Sequence, residues 1–303
     1  MVDRASVSVA GTPWRRGRLD ARPGRPKLLF GRMYEDWSIE TTVFPPAGRV
    51  FTIASAGDTS MALSARDYQV TAVDINPAQV NYMRRRLATG ETRLGTADRL
   101  FSIGRSLLPF LGLRPSVLRQ FLMLDDPAVQ IGFWRSKLST GRFRLGLATV
   151  INRVALRLVY QPTLVRMLPR RFDRIIRARL ERCFAMHPNR SNPWAWQFFL
   201  GRAAPEYEPA RANPERIEVI ESDAATYLEG CEPQHFIGFS LSNILDGTEP
   251  AYGERLMAAV RRSAHPGAVM VLRSFAEPAP GESTEWAARD RSMLWGQLRV
   301  ERV

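Results

Sequence analysis

The stretch from Arg49 to Gln79 constrains the fold more than any other part of the chain. Arg49-Val-Phe-Thr-Ile-Ala54 is an apolar run rich in β-formers and of buried-strand length. Ser55-Ala-Gly-Asp-Thr-Ser60 follows as a small-residue loop, and Ser60 to Arg66 reads as a short helix. Gln69-Val-Thr-Ala-Val-Asp-Ile75 is a second strand. Asn76 then stands at an N-cap and Pro77 at the first helical position, opening a helix that runs through Leu87. Strand, helix and strand in so short a span predict a parallel pair joined by a right-handed crossover, the first unit of a Rossmann-like α/β sheet.

The same alternation returns near the C-terminus. Strands are expected at Ile217–Glu221, Phe236–Ser242, Ala268–Phe275 and Gln297–Val303. Helices are expected at Ala224–Leu228 and at Pro250–Ser263, the latter closed by His265-Pro266-Gly267. The predicted architecture is a mostly parallel, doubly wound sheet with a large helical insertion. Residues 1–28 read as a flexible basic leader, 29–96 as the first half of the cofactor domain, 97–200 as the insertion and 201–303 as the second half. Leu28 to Glu40 is expected to be a helix beside the cofactor pocket. In the insertion, Leu145, Leu147, Val150, Ile151, Val154 and Leu158 recur at helical spacing.

Two cysteines, Cys183 and Cys231, stand far apart, which excludes a disulfide framework and fits a reducing cytoplasm. The three histidines lack metal-site spacing, so no metal is expected. Arg15-Arg16 has no apolar run behind it and does not make an export signal. No apolar run is long enough to predict a transmembrane helix. The net charge of +13 is uneven. Residues 132–186 hold 13 Lys/Arg against Asp173 and Glu181, and residues 1–32 hold eight against two Asp. A focused basic region suits an anionic membrane surface, a nucleic acid or an acidic substrate, or is an arginine-biased solvated face. The basic face of the insertion includes Arg142, Arg144, Arg153, Arg157, Arg170, Arg171 and Arg174. No basic–aromatic strip accompanies it, so nucleic acid is not expected.

In an open parallel sheet, ligands sit at the carboxyl ends of the strands. Ser55, Ala56 and Gly57 end the first strand with side chains small enough for a ligand to approach the backbone. Asp74 ends the second, seventeen residues after Gly57, where a carboxylate can accept from both ribose hydroxyls. Its alternative role is to cap the helix at Pro77. Asp223 and Ala224 follow the third strand and face an adenine amino group, or else Asp223 is a plain N-cap. Ser242 and Asn243 close the fourth strand at the reacting centre. The loop holds one glycine, not GxGxxG, which argues against a bound pyrophosphate and so against NAD.

Four segments also carry a resemblance: Phe51-Thr-Ile-Ala-Ser-Ala-Gly57, Ala72-Val-Asp-Ile-Asn-Pro-Ala-Gln79, Asn192-Pro-Trp-Ala-Trp196 and Phe239-Ser-Leu-Ser-Asn-Ile-Leu245. The chain resembles, over roughly residues 30–275, the bacterial S-adenosylmethionine:diacylglycerol 3-amino-3-carboxypropyltransferases of betaine-lipid synthesis. Leu29-Phe-Gly-Arg-Met-Tyr-Glu-Asp36 is also similar to the homoseryl-transferring enzymes of nocardicin synthesis, which use a phenol.

The resemblance implies S-adenosylmethionine as co-substrate, Asp74, Ile75, Asn76 and Gln79 as part of its site, and a lipid or small-molecule acceptor. A cytoplasmic protein peripheral to the membrane follows as an expectation, with basic residues 132–186 toward the anionic surface. Leu156-Arg-Leu-Val-Tyr160 is an apolar stretch suited to that interface. Tyr34, Glu35 and Asp36 are expected to reach the ammonium of the methionine arm, and Ser55 with the backbone around Gly57 its carboxylate. Asp58, His187 and Asp246 are the candidate bases, although His187 in a His-Pro-Asn-Arg turn also reads as structural. Trp194, Trp196, Phe198 and Phe199 are core or an acceptor wall. A methyltransferase, or a non-catalytic membrane- or nucleic-acid-associated protein with this fold, are the competing readings.

Overall fold

In the computed structural model, which describes residues 25–151, 156, 165, 166, 168, 169, 171–208 and 211–303, one six-stranded sheet organises the chain. β1 (Gly48–Ile53) pairs in parallel with β2 (Tyr68–Asp74) on one side and with β4 (Phe236–Ser240) on the other. β3 (Ile217–Glu221) extends the sheet beyond β2, and β5 (Ala264–Ser274) extends it beyond β4. Only β6 (Gln297–Arg302) runs antiparallel, along β5. The order β3-β2-β1-β4-β5-β6 reverses between β1 and β4, the position where open α/β sheets leave a crevice. The expected α/β class and mostly parallel sheet are thus observed.

Alternation along each strand separates two cores. Val50, Val70, Ala72, Val269 and Val271 pack with Leu63 and Met83 on one face. Phe51, Val73, Phe239, Met270 and Leu272 pack with Leu228 and Leu256 on the other. The covering helices are α2 (Asp58–Ser64), α3 (Pro77–Thr89), α10 (Ala224–Gly230) and α11 (Pro250–Ser263), with short α1 (Ser38–Val43) and α12 (Glu285–Arg289) at the margin. The side chain of Asn76 accepts from the amide of Ala78 at 3.0 Å, with Pro77 behind it, so the α3 start follows the sequence signal.

Between the halves run α4 (Thr96–Leu107), α5 (Pro115–Leu122), α6 (Pro127–Phe133), α7 (Gly141–Val150), α8 (Phe172–Met186) and α9 (Pro193–Leu200). They share a separate aromatic core of Phe121, Trp134, Phe184, Trp196 and Phe199. Each such buried side chain contributes on the order of 2 kcal/mol. Trp196 also donates through Nε1 to the Asn189 carbonyl at 3.1 Å.

Two expectations need correction. Leu28 to Glu40 is not a helix; only Ser38 onward is helical. Its amides are taken by distant side chains: Gln79 accepts from Leu29 and Phe30, Asp98 from Gly31, and Asp58 from Met33. His265-Pro266-Gly267 does not close a helix before the strand but lies within β5. Phe236 pairs with Ala264 and Gly238 with Val269, so residues 265–268 are looped out of register. Three of the expected basic residues, Arg153, Arg157 and Arg170, lie outside the described residues. So do most of the basic leader, residues 157–160 of the apolar stretch, and Val154 and Leu158.

Candidate functional site

A cleft, partly open to solvent, lies at the carboxyl ends of β1 to β4. Each strand contributes in turn: Ile53 and Ser55, then Val73 to Asn76, then Ser222 to Ala224, then Ser242 to Ile244. Leu29, Phe30, Gln79 and Tyr252 complete the lining. Leu29, Ile53, Ile75 and Ile244 supply apolar wall. The cleft holds two carboxylates, Asp74 and Asp223, and among the described residues no Lys, Arg or His lines it.

Asp74 is the polar centre of this cleft. Its Oδ2 accepts from the Ser55 amide and its Oδ1 from the Asn76 amide, both at 2.9 Å. A carboxylate has about four acceptor positions, so about two remain for a ligand. The residue keeps some surface on the cleft, yet protein surrounds it closely, and this burial pushes its pKa up to about 6 against the two amide bonds. Ser55 holds φ 43° and Ser242 φ 53°, left-handed conformations uncommon for residues with a side chain. Both lie at strand ends on the cleft, where such strain concentrates in binding sites.

Asp223 caps α10 by accepting from the Thr226 amide at 2.9 Å. Its other oxygen accepts from the Tyr252 hydroxyl at 2.8 Å. Burial, then the Asp223 carboxylate, raises the Tyr252 pKa. Gln79 lines the cleft, but its amide is saturated. It accepts from Leu29 and Phe30 and donates to the carbonyls of Phe30 and Ser55, at 2.6 and 2.7 Å. It positions the two cleft walls and has nothing left to offer a ligand. Asn76 is likewise committed to Ala78 and to the Lys27 carbonyl.

Of the residues expected from sequence, Ser55, Asp74, Ile75, Asn76, Gln79, Asp223, Ala224, Ser242 and Asn243 line the cleft. Ala56 and Gly57 do not: Ala56 is buried beside Met33 and Tyr82, and Gly57, at φ 89°, opens α2 against Met83. Tyr34 packs on Phe101, Leu294 and Trp295 away from the cleft. Asp36 is bound in both oxygens by Arg291, at 2.6 and 3.0 Å. Burial opposes its charge, but Arg291 overrides this and holds its pKa below the ordinary value.

None of the three candidate bases is on the cleft. Asp58 binds Arg86 in both oxygens, at 2.8 and 3.0 Å, and accepts from the Met33 amide. His187 Nε2 lies 2.9 Å from the Ala288 carbonyl, beyond the end of α8. Asp246 accepts from Ser274, the Phe275 amide and Asn243, and burial raises its pKa. All three fasten the scaffold. Asp58→Asn is therefore expected to cost about 1–2 kcal/mol of stability while changing ligand affinity less than about twofold. Parallel thermal melts and ligand titrations check this.

Trp194, Trp196 and Phe199 are buried, and neither they nor Phe198 line the cleft; Trp196 and Phe199 belong to the helical core.

Glu35, expected to reach the ammonium of the methionine arm, is buried and does not line the cleft. Its Oε1 accepts from Ser242 Oγ, and its Oε2 lies 3.6 Å from Arg273 Nη1 with no hydrogen-bond donor among the described residues. Burial pushes its pKa up to about 7 despite Arg273. Tyr252 and Ser222 on the cleft, and Arg273 beside Glu35, were not singled out from the sequence. A second groove adjoins the cleft, lined by Leu245 to Glu249, Leu272 to Ser274, Gln297, Arg299 and Arg166. The turn after β4 walls both spaces. No family model, curated protein or solved structure matches this chain.

Proposed function

We propose that this chain is an S-adenosylmethionine-dependent transferase that moves the 3-amino-3-carboxypropyl group to an acceptor hydroxyl, with a glycerolipid as the first acceptor to test. The observation that carries the reading is the cleft lining: two carboxylates, apolar walls and no described cation, across four successive strand ends. Such a lining suits a nucleoside with positive charge and disfavours phosphates. Asp74 is the ribose acceptor, with Ile53, Ile75 and Leu29 as apolar surface for the base. The choice of transferred group rests on the resemblance of Ala72–Gln79 and Phe239–Leu245 to the aminocarboxypropyltransferases.

S-adenosylmethionine supplies an electrophilic γ-carbon beside a sulfonium leaving group. The acceptor oxygen attacks that carbon, the carbon–sulfur bond breaks, and its electron pair leaves on methylthioadenosine. The acceptor proton must go to a base. Ser242 and Glu35 fit that role, because the acceptor hydroxyl can pass its proton to Ser242 Oγ as Ser242 passes its own to Glu35. A carboxyl that titrates near neutrality is well matched to accepting it. The groove beyond Asn243 supplies an approach for the acceptor. Positioning contributes most of the acceleration.

Incubating the protein with S-adenosylmethionine and diacylglycerol, then analysing products by mass spectrometry, tests the reading. Methylthioadenosine and a homoserine-ether lipid are expected. S-adenosylhomocysteine as sole product would sink it in favour of methyl transfer, and turnover without a lipid product would move the acceptor to a small phenolic or hydroxylated metabolite. Glu35→Gln is expected to lower kcat about 100-fold, the lower end for a general base, with KM for S-adenosylmethionine little changed. The wild-type rate should rise with pH through about 7, and that rise should be missing in the variant.

A further inference from the structure

We infer that the face formed by α4, the turn after it and α7 docks on an anionic lipid bilayer. This surface extends the transferase reading by giving it a partner, but it stands on separate observations.

The first is a stripe of exposed apolar side chains. Ile103, Leu107 and Phe110 fall at helical spacing i, i+4 and i+7, and are 59%, 40% and 81% exposed. Phe110 lies in the 3₁₀ turn Leu108–Leu111 that ends α4. That turn packs on α7, where a Cβ at Gly146 would meet Leu111 Cδ2 at 2.2 Å. Leu145, the residue before Gly146, is 70% exposed. Apolar groups grouped this way mark an interaction surface.

The second is charge of one sign. Between Arg99 and Phe172 the sequence holds thirteen Lys/Arg, and its only acidic residues are Asp125 and Asp126. Arg99 lies one turn before Ile103, and Arg142 one turn before Leu145; both are exposed, as is Arg144. Apolar tips flanked by arginine, with no acidic side chain among them, match a surface whose headgroups are negative and whose interior is hydrocarbon. Among the described residues no helix is long and apolar enough to cross a membrane, so the contact is peripheral.

The face connects to the cleft through α4. The Thr96 and Ala97 amides at its start bind the carbonyls of Leu28 and Leu29, and Leu29 is a cleft wall. Twelve residues of helix span about 18 Å, so a docked surface sits within one lipid length of the cleft.

The test is co-sedimentation of the full-length protein, without S-adenosylmethionine, with vesicles of equal parts phosphatidylcholine and phosphatidylglycerol. Binding is expected to exceed that to pure phosphatidylcholine by tenfold or more, and to weaken with salt. Phe110→Ser with Leu145→Ser should reduce it about tenfold, and Arg142→Glu with Arg144→Glu by a similar factor. Hydrogen exchange of residues 99–112 and 141–149 in the wild type should slow on adding the anionic vesicles, a readout independent of how the variants fold. Absence of wild-type binding, or unchanged exchange there, overturns the inference. So does a serine variant that binds vesicles as wild type. A serine variant that turns a dimer into a monomer in ultracentrifugation assigns the face to a second copy of the chain. Sensitivity to the arginine changes alone assigns it to a polyanion such as nucleic acid. Because the assay needs no turnover, its failure is distinct from failure of the transferase reading.

Discussion

Arg273→Met is expected to destabilise the protein by about 3–5 kcal/mol, the range for removing one partner of a buried ionic cluster. Arg273 is fully buried. Its guanidinium binds both oxygens of Glu40, at 2.5 and 3.0 Å, and Asp290 at 3.2 Å. It donates to the Asp36 carbonyl at 3.1 Å and lies 3.6 Å from Glu35. Burial disfavours charge on this arginine, yet the Glu40 carboxylate keeps its pKa above the ordinary value. Taking the guanidinium away leaves Glu35, Glu40 and Asp290 buried with no cation between them. A loss of this size in a chain this long lowers the melting temperature by roughly 10 °C. The deficit should shrink from about pH 8 to about pH 5, because protonation removes the uncompensated charge. Melting wild type and variant at both values measures the difference; an equal deficit at both would point to lost packing instead.

This cluster also explains what the sequence did and did not disclose. Arg273 sits in Val269-Met-Val-Leu-Arg-Ser274, which reads as a buried strand with one polar interruption. Nothing local says that its partners are at positions 35, 40 and 290. The β1–α2–β2 unit was legible for the opposite reason. The apolar strand run, the small loop and the Asn76–Pro77 helix start are all set within a few residues of themselves. The same logic accounts for the segment 28–37. Its residues carry helical propensity, but Gln79, Asp98 and Asp58 capture its amides, and tertiary contacts override a weak local preference.

The site divides along the same line. Strand ends could be counted from the sequence, so the placing of Ser55, Asp74, Asp223 and Ser242 on the cleft was legible there. Which carboxylate faces the cleft and which is tied to an arginine depends on side chains 28 to 255 residues away, as Asp58–Arg86 and Asp36–Arg291 illustrate. That is why Asp58 and Asp36 stood as functional candidates although arginines hold both, and why the contact of Glu35 with Ser242 and Arg273 could not be read from its own neighbourhood.

Asp74→Ala is expected to weaken S-adenosylmethionine binding by roughly 1,000-fold, about 4 kcal/mol, through loss of two hydrogen bonds to a charged acceptor. Alanine also strands the Ser55 and Asn76 amides, so part of that loss reflects the loop and not the ligand. Asp74→Asn separates the two contributions by keeping the shape and removing the charge. The discriminating measurement is affinity against pH. In the empty protein Asp74 titrates at about 6, above its ordinary value of 3.8. Between those values the folded empty protein holds more protons than the unfolded chain, so this residue makes stability fall as pH rises through the window. Ligand binding runs the opposite way, because ribose hydroxyls donate best to the ionised carboxylate. Calorimetric affinity should therefore rise as pH passes from about 5 to about 7 in the wild type and stay flat in Asp74→Asn. An Asp74→Asn protein that keeps the wild-type slope would remove Asp74 from the ribose site, and with it the central contact on which the nucleoside reading depends.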